Sequence, residues 1–300
     1  MPADLRAAYV VLASIAFARD YTFTLRGDEE FLDTFIFGAI VDANFGALDA
    51  QPRLGVAFGD ADSYAPEALR RPITTHAVAQ SLSISPETAR RRIKRLVQDG
   101  KVRVGPKGLI ATDAGIASPT YKSIQMANYD RTAAFYRLMR MLGAAPAPSA
   151  EPAAGEAPLV RVVGRATSEY TLRRVQDLMD ICGGVLGLAC IGETIVCNLR
   201  DIDGPGLVNW IETRGATGRP VSTREVARGA KLPYETVRRQ IDGLSKKGLI
   251  RKDRTGVVAV CPDTMIPTVI EAIQSNAIDL RRLFNRLDRA GVLSTWIEKA

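Results

Sequence analysis

The sequence predicts a mainly α-helical protein with two small β-hairpins (α+β), in which one layout is built twice about a pseudo-twofold. Three observations predict it. The segment Arg71–Ile110 aligns without a gap onto Arg219–Val258 with 14 identities, too many for unrelated segments of that length. Each segment holds a short helical stretch, a turn, a basic helical stretch ending at a glycine, and two short apolar runs around a polar tip. Apolar residues three and four apart flank both segments, as buried helix faces require. They run through Leu5–Phe17, Phe31–Val41 and Tyr121–Leu142 in the first copy, and through Leu178–Val196 and Val269–Leu287 in the second.

The chain of 300 residues has room for two domains, each burying its own core. The first repeat is placed at 1–142 and the second at 159–300. Between them Gly143–Pro158, "GAAPAPSAEPAAGEAP", has almost no large side chain and reads as a linker. "SPTYKSIQ" and "IPTVIEAIQ" open a long closing helix in each copy, and "IVDAN" (Ile40–Asn44) answers "IVCN" (Ile195–Asn198) upstream. The residues around Gln51–Asp62, extra to the first copy, read as a surface loop. "MPADLRAAYVVLASIAFARD" reads as a buried helix, because Asp4 stands where a secretory leader needs a basic residue. No apolar run is long enough for a membrane span.

Within the first basic segment, Thr74 or Thr75 caps a helix to about Ser81, since the first amides of a helix have no intrahelical partner. "LSIS" makes a turn. Ser85 caps a second helix with Pro86 at its first position. Ala89, Ile93 and Leu96 share the inward face, and Gly100 ends the helix. "KVRV" and "LIAT" are then two strands joined at Gly105–Gly108. The second segment follows the same plan, with Lys252–Gly256 at its tip. Helix, turn, helix and a two-stranded wing make a winged helix-turn-helix, placed at about 63–113 and 206–261.

"SPETARRRIKRLVQDGKVRV" (Ser85–Val104) resembles the recognition helix and wing of bacterial winged-helix regulators. The local pattern is similar to the Ser-Arg-Glu-Thr-Val-x-Arg of the cyclic-AMP receptor family, whose Glu and second Arg reach base edges in the major groove. The resemblance implies those roles for Glu87 and Arg91, and for Glu235 and Arg239. That family's first Arg is replaced here by Pro86 and Tyr234. A winged module between terminal helices resembles one subunit of a MarR-type regulator, which implies pairing through those helices and, for this chain, a fused dimer.

Charge separates DNA binding from a merely solvated helix face. The net charge of the chain is +7. Arg71–Gly108 holds nine basic against two acidic residues, and Arg219–Gly256 eleven against four, so the two segments together carry +14 and the remainder −7. Basic charge confined to the elements that enter a groove is the footprint of a nucleic-acid-binding protein. Arg90, Arg92, Lys94, Arg95, Arg238, Lys246 and Lys247 are expected at phosphates, which give affinity and salt dependence. Lys107 and Arg254 stand at the wing tips, while Arg91 and Arg239 are placed to read guanine through bidentate contacts. Ser85, Thr88, Tyr234 and Thr236, at the helix starts, complete the DNA-facing set.

No phosphate-binding glycine loop, nucleophile–base pair or metal-ligand spacing appears, and His76 is the one histidine. No catalytic residue, cofactor or metal is therefore expected. Cys182, Cys190 and Cys197 read as small core residues. The reading is a cytoplasmic, nucleoid-associated transcriptional regulator. Its expected partner is double-stranded DNA carrying an imperfect inverted repeat, bound by one pseudo-dimeric chain or by a homodimer. An architectural or replication/partition DNA-binding protein, and a winged-helix interaction scaffold, are the alternatives.

Overall fold

A computed structural model describes residues 3–26, 29–48, 51–152 and 157–297. Residues 153–156 of the linker and Asp28 lie outside the described residues. Two compact units are resolved. One comprises Met1–Arg19 and Arg174–Asn276; the other comprises Asp20–Arg173 and Ala277–Ala300.

In chain order the helices are α1 (Ala3–Arg26), α2 (Phe31–Phe45), α3 (Pro52–Ala57), α4 (Thr75–Ser81) and α5 (Pro86–Gln98). Strands β1 (Val102–Gly105) and β2 (Gly108–Ala111) precede α6 (Asp113–Ile116), α7 (Pro119–Met141), α8 (Val160–Cys182), α9 (Val185–Asn198) and α10 (Gly204–Glu212). Then follow α11 (Thr223–Gly229), α12 (Tyr234–Lys246), β3 (Ile250–Asp253), β4 (Gly256–Ala259), α13 (Ile266–Arg289) and α14 (Val292–Trp296). The mainly helical, α+β character expected from the sequence is what the chain adopts.

In the unit of residues 20–173 and 277–300, α2 and α4–β2 pack on one another. Val78, Leu82, Ala89, Ile93, Leu96, Val102 and Leu109 are buried there. The closing helices of this unit meet through aromatic rings. Tyr136 lies 5.2 Å from Phe284 and 5.9 Å from Trp296, and Phe135 lies 6.1 Å from Phe284. Burying such a ring contributes about 1.5–3 kcal/mol, so this cluster is a major part of the unit's core.

In the unit of residues 1–19 and 174–276, α9 and α11–β4 form a second core. It joins Cys182, Cys190 and Cys197 to Val226, Val237, Ile241, Leu244 and Val257. Arg19 pairs at 2.6 Å with the buried carboxylate of Glu193 on α9, and Asn276 donates to Ser14 at 3.1 Å. Both contacts bind the chain's N-terminal residues into this unit.

Three expectations are corrected. The stretch around Gln51–Asp62 is not a plain surface loop. It contains α3, whose end is held by Arg165, which donates to the carbonyls of Gly55 (2.8 Å) and Phe58 (3.1 Å). The N-terminal helix is half-buried over most of its length, with Ser14, Phe17, Tyr21 and Thr22 inward, because one side of a helix this long stays in contact with solvent. Leu178–Val196 is not one helix: Gly183 and Gly184, at φ 76° and 103°, break it into α8 and α9. Positive φ costs glycine nothing, so the chain turns there. The described part of the linker is anchored. The amides of Ser149 and Ala150 donate to Asp288 at 2.9 and 3.3 Å, and Tyr136 donates to the carbonyl of Pro146. No single helix among the described residues is long and apolar enough to cross a membrane.

Candidate nucleic-acid interface

The first basic segment folds as its local chemistry dictates. Thr74 caps α4 by accepting from the amide of Ala77, and Ser85 caps α5 by accepting from that of Thr88. The Ser85 and Thr88 hydroxyls also bond to each other at 2.8 Å. Between the helices Ser83 holds φ 46°, and Lys231 holds φ 49° at the same place between α11 and α12. On α5 the inward residues Ala89, Ile93 and Leu96 are buried. Their spacing turns Arg90, Arg91 and Lys94 to solvent. On α12, Val237, Ile241 and Leu244 do the same for Arg238 and Arg239. Each helix is followed by a two-residue hairpin, β1–β2 registered as Val102 with Ala111 and β3–β4 as Ile250 with Ala259.

The cations divide into two groups. Arg91, Lys94 and Lys107 are exposed and make no hydrogen bond or ion pair among the described residues, as are Arg239 and Arg254. Lys246 is exposed at the end of α12. The others are engaged. Arg92 reaches the buried carboxylate of Asp33 at 3.3 Å and Glu30 at 3.7 Å, and Arg95 reaches Asp33 at 3.4 Å. Arg90 lies 3.5 Å from Glu87, both of them exposed, a contact of little energy. On α12, Arg238 is held by Glu235 at 2.9 Å and Asp242 at 3.4 Å, and Lys252 by Asp242 at 2.5 Å. The Lys252 hydrogen bond, with Arg238 beside it, holds the Asp242 carboxyl below the usual carboxylate range. Lys247 donates to the carbonyls of Asp180 and Ile181 at the C-terminal end of α8, where a cation suits the helix dipole. Of the expected phosphate contacts, then, Lys94 and Lys246 face solvent, whereas Arg92 and Lys247 are committed to the protein. Tyr234 and Glu235 are exposed at the start of α12, and Thr236 is half-buried.

Two asparagines hold the wings in place. Asn44, fully buried at the end of α2, donates to the carbonyls of Arg71 (2.7 Å) and Leu109 (3.2 Å) and accepts from the amide of Ala111 (2.7 Å). Asn198, at the end of α9, repeats the set on Arg219 (2.8 Å), Val257 (3.2 Å) and Ala259 (2.8 Å). Each hairpin also gains a single-residue third strand, Ile73 on Leu109 and Val221 on Val257. Gly108 and Gly256 permit it: at φ 133° and 144°, a Cβ on either would lie 2.5 Å from the Ile73 or Val221 carbonyl oxygen.

Sequence reasoning passed over Asp33 and gave Asn44 and Asn198 no role. The signals were present. An acidic residue stands alone in the apolar run "FLDTFIFGAI", and "IVDAN" matches "IVCN" at the asparagine.

Cys182, Cys190 and Cys197 are buried core residues. Burial pushes their thiols up to about 12, about 12 and about 11. A thiol so raised is a poor nucleophile or metal ligand. Among the described residues no group of three or more His, Cys, Asp or Glu is placed to hold a metal ion.

Comparison with known proteins completes the picture. No curated protein and no solved structure matches the chain. Residues 71–103, which span α4, the turn, α5 and the start of β1, match the family model of the winged helix-turn-helix DNA-binding type.

Proposed function

We propose that the protein is a sequence-specific regulator of transcription that binds double-stranded DNA with two recognition helices, α5 and α12, carried on one chain. The observation that carries the reading is the pair Arg91 and Arg239. They hold equivalent positions on the two helices, exposed and without a protein partner, one of them within the segment that matches a DNA-binding family. A buried or internally paired guanidinium would be structural; a free one on a basic helix beside a wing suits a groove. Lys94, Lys107, Lys246 and Arg254 supply phosphate contacts around it. Glu87 and Glu235, in the first turns of the two helices, stand where an acceptor meets a cytosine amino group.

The second module supports a tandem winged helix-turn-helix because it reproduces the first in the cap of its leading helix, its turn, hairpin register and asparagine pin, although α12 starts at Pro233 without the side-chain cap that Ser85 gives α5. The two modules belong to different compact units. Two recognition helices serve half-sites about 34 Å apart, one turn of duplex. Pro86 against Tyr234, and Lys94 against Asp242, make the halves unequal, so the target is an imperfect inverted repeat. Genome-wide binding followed by footprinting tests the reading. A discrete set of protected two-half-site operators supports it. Uniform coating replaces it with an architectural DNA-binding role, and absence of salt-sensitive binding replaces it with a scaffold.

A further inference from the structure

Tyr234, the first residue of α12, is 44% exposed. Among the described residues it is the one exposed aromatic side chain; every other Phe, Tyr and Trp is buried or half-buried. Its ring makes no hydrogen bond, ring stack or cation–π contact there. A large ring left in water forgoes the gain of burial. Packing within the module does not require it at this place. Pro86 stands at the equivalent position of α5, and the first module makes the same turn, hairpin register and asparagine pin around it.

The surroundings of the ring are charged. Glu235, Arg238 and Arg239, on the same helix, are all exposed. A protein-docking patch would join the ring to other exposed apolar residues. None of the other exposed large apolar side chains lies on α11, α12 or the β3–β4 hairpin; they fall at Leu69, Val97, Val104 and elsewhere outside this module. A single ring among cations suits a duplex better. On a helix lying in the major groove, the N-terminal residues meet base edges. Those edges offer hydrogen-bonding groups and one apolar group, the 5-methyl of thymine.

Resting on the DNA-binding reading above, we propose that Tyr234 is a specificity-determining residue whose ring packs on the 5-methyl group of a thymine in the half-site that α12 reads. Arg239, exposed on the same helix, supplies the polar base contact, and the ring adds an apolar one beside it. Pro86 lacks the reach of a tyrosine, so the requirement falls on one half-site only.

The test uses the full chain and an operator defined by footprinting. Each thymine of the operator is replaced in turn by deoxyuridine, which removes the methyl and keeps every hydrogen bond. At a position in one half-site, affinity is expected to fall about fourfold, the worth of one methyl-sized group withdrawn from water. Tyr234→Ala is expected to weaken binding to the thymine operator and to make thymine and uracil equivalent at that position. Tyr234→Phe is expected to keep the difference, because the ring makes the contact. Tyr234→Pro, which supplies the residue of the first module, is expected to erase it and keeps the proposal testable if the alanine variant fails to fold. A uracil effect that survives both Tyr234→Ala and Tyr234→Pro, or an operator with no thymine at which uracil weakens binding, overturns the proposal and leaves the DNA-binding reading standing. A chain that binds no duplex in a salt-sensitive way overturns both.

Discussion

Arg91 and Arg92 are neighbours in sequence and differ in what they can do. One is exposed and unpaired; the other is turned onto Asp33, with its side chain 19% exposed. Arg91→Ala is expected to leave stability nearly unchanged and to weaken specific DNA binding by about 1–3 kcal/mol, as loss of a bidentate base contact does, with Arg239→Ala acting on the other half-site. Competition binding on specific and random duplexes checks this; equal losses on both would remove the base-reading role. Arg92→Ala is expected to do the reverse. It strips the buried Asp33 of its closest cation, leaving Arg95 as partial compensation, and should cost about 1–3 kcal/mol in urea denaturation. Asp242 stands where the first module has Lys94, and it ties up Arg238 and Lys252. Asp242→Asn should release Lys252 and leave Arg238 held by Glu235 alone. Affinity for random duplex should rise, and the slope of log affinity on log salt should steepen by about 0.9 for each cation that then meets a phosphate.

At the scale of the element, the wing is held by a side chain outside it. Asn44→Ala removes a three-bond set in the interior of the first module, and Asn198→Ala does so in the second. Each is expected to destabilise its unit by about 2–4 kcal/mol, because the freed strand carbonyls and amide remain buried. Hydrogen exchange at Ala111 and Ala259, accelerated in the matching variant only, reads this site by site. The start of α11 carries a capping box, Ser222 with Glu225, worth about 1 kcal/mol. The backbone amide of Ser222, with its hydroxyl and Arg219, holds the Glu225 carboxyl below its usual range. The stability this adds is present above the ordinary glutamate range and is lost as acid carries the pH down through the lowered pKa. Glu225→Gln should flatten that part of the pH–stability curve. The module's helices, hairpins and caps were legible from local signals: Ser85 before Pro86, three inward residues on each helix, and glycine at each tip. The asparagine pins showed in the sequence only as the match of "IVDAN" to "IVCN", because a hydrogen bond between residues 44 and 111 is not encoded in the residues next to either.

For the whole molecule, each compact unit is made from both halves of the chain. One takes residues 1–19 together with 174–276, and the other takes 20–173 together with 277–300. Arg19 with Glu193 and Asn276 with Ser14 hold the first, and Tyr136 with Phe284 and Trp296 holds the second. Cleavage within residues 153–156 is therefore expected to leave two fragments that co-elute and melt as one species. Either fragment expressed alone keeps the core of its own module but loses the contacts of Tyr136 with Phe284 and Trp296 and of Arg19 with Glu193, and is expected to melt at a lower temperature than the associated pair. Light scattering on a single short operator is expected to give one chain per duplex; a strict requirement for two chains would reject the reading of both modules as halves of one binding unit.

The sequence by itself determined the two similar basic segments, the pair of short helices and the hairpin in each, and the confinement of positive charge to them. These follow from short-range rules, namely caps, turn residues, apolar spacing and counted charges. Tertiary structure alone decided which cations are free. Arg91, Arg92 and Arg95 are indistinguishable as residue types, and their roles diverge because Asp33, some sixty residues earlier, is packed beneath two of them. It also decided that the ends of the chain complete units begun elsewhere. Apolar helix faces look alike in sequence, and only the fit of one against another in three dimensions selects the partner.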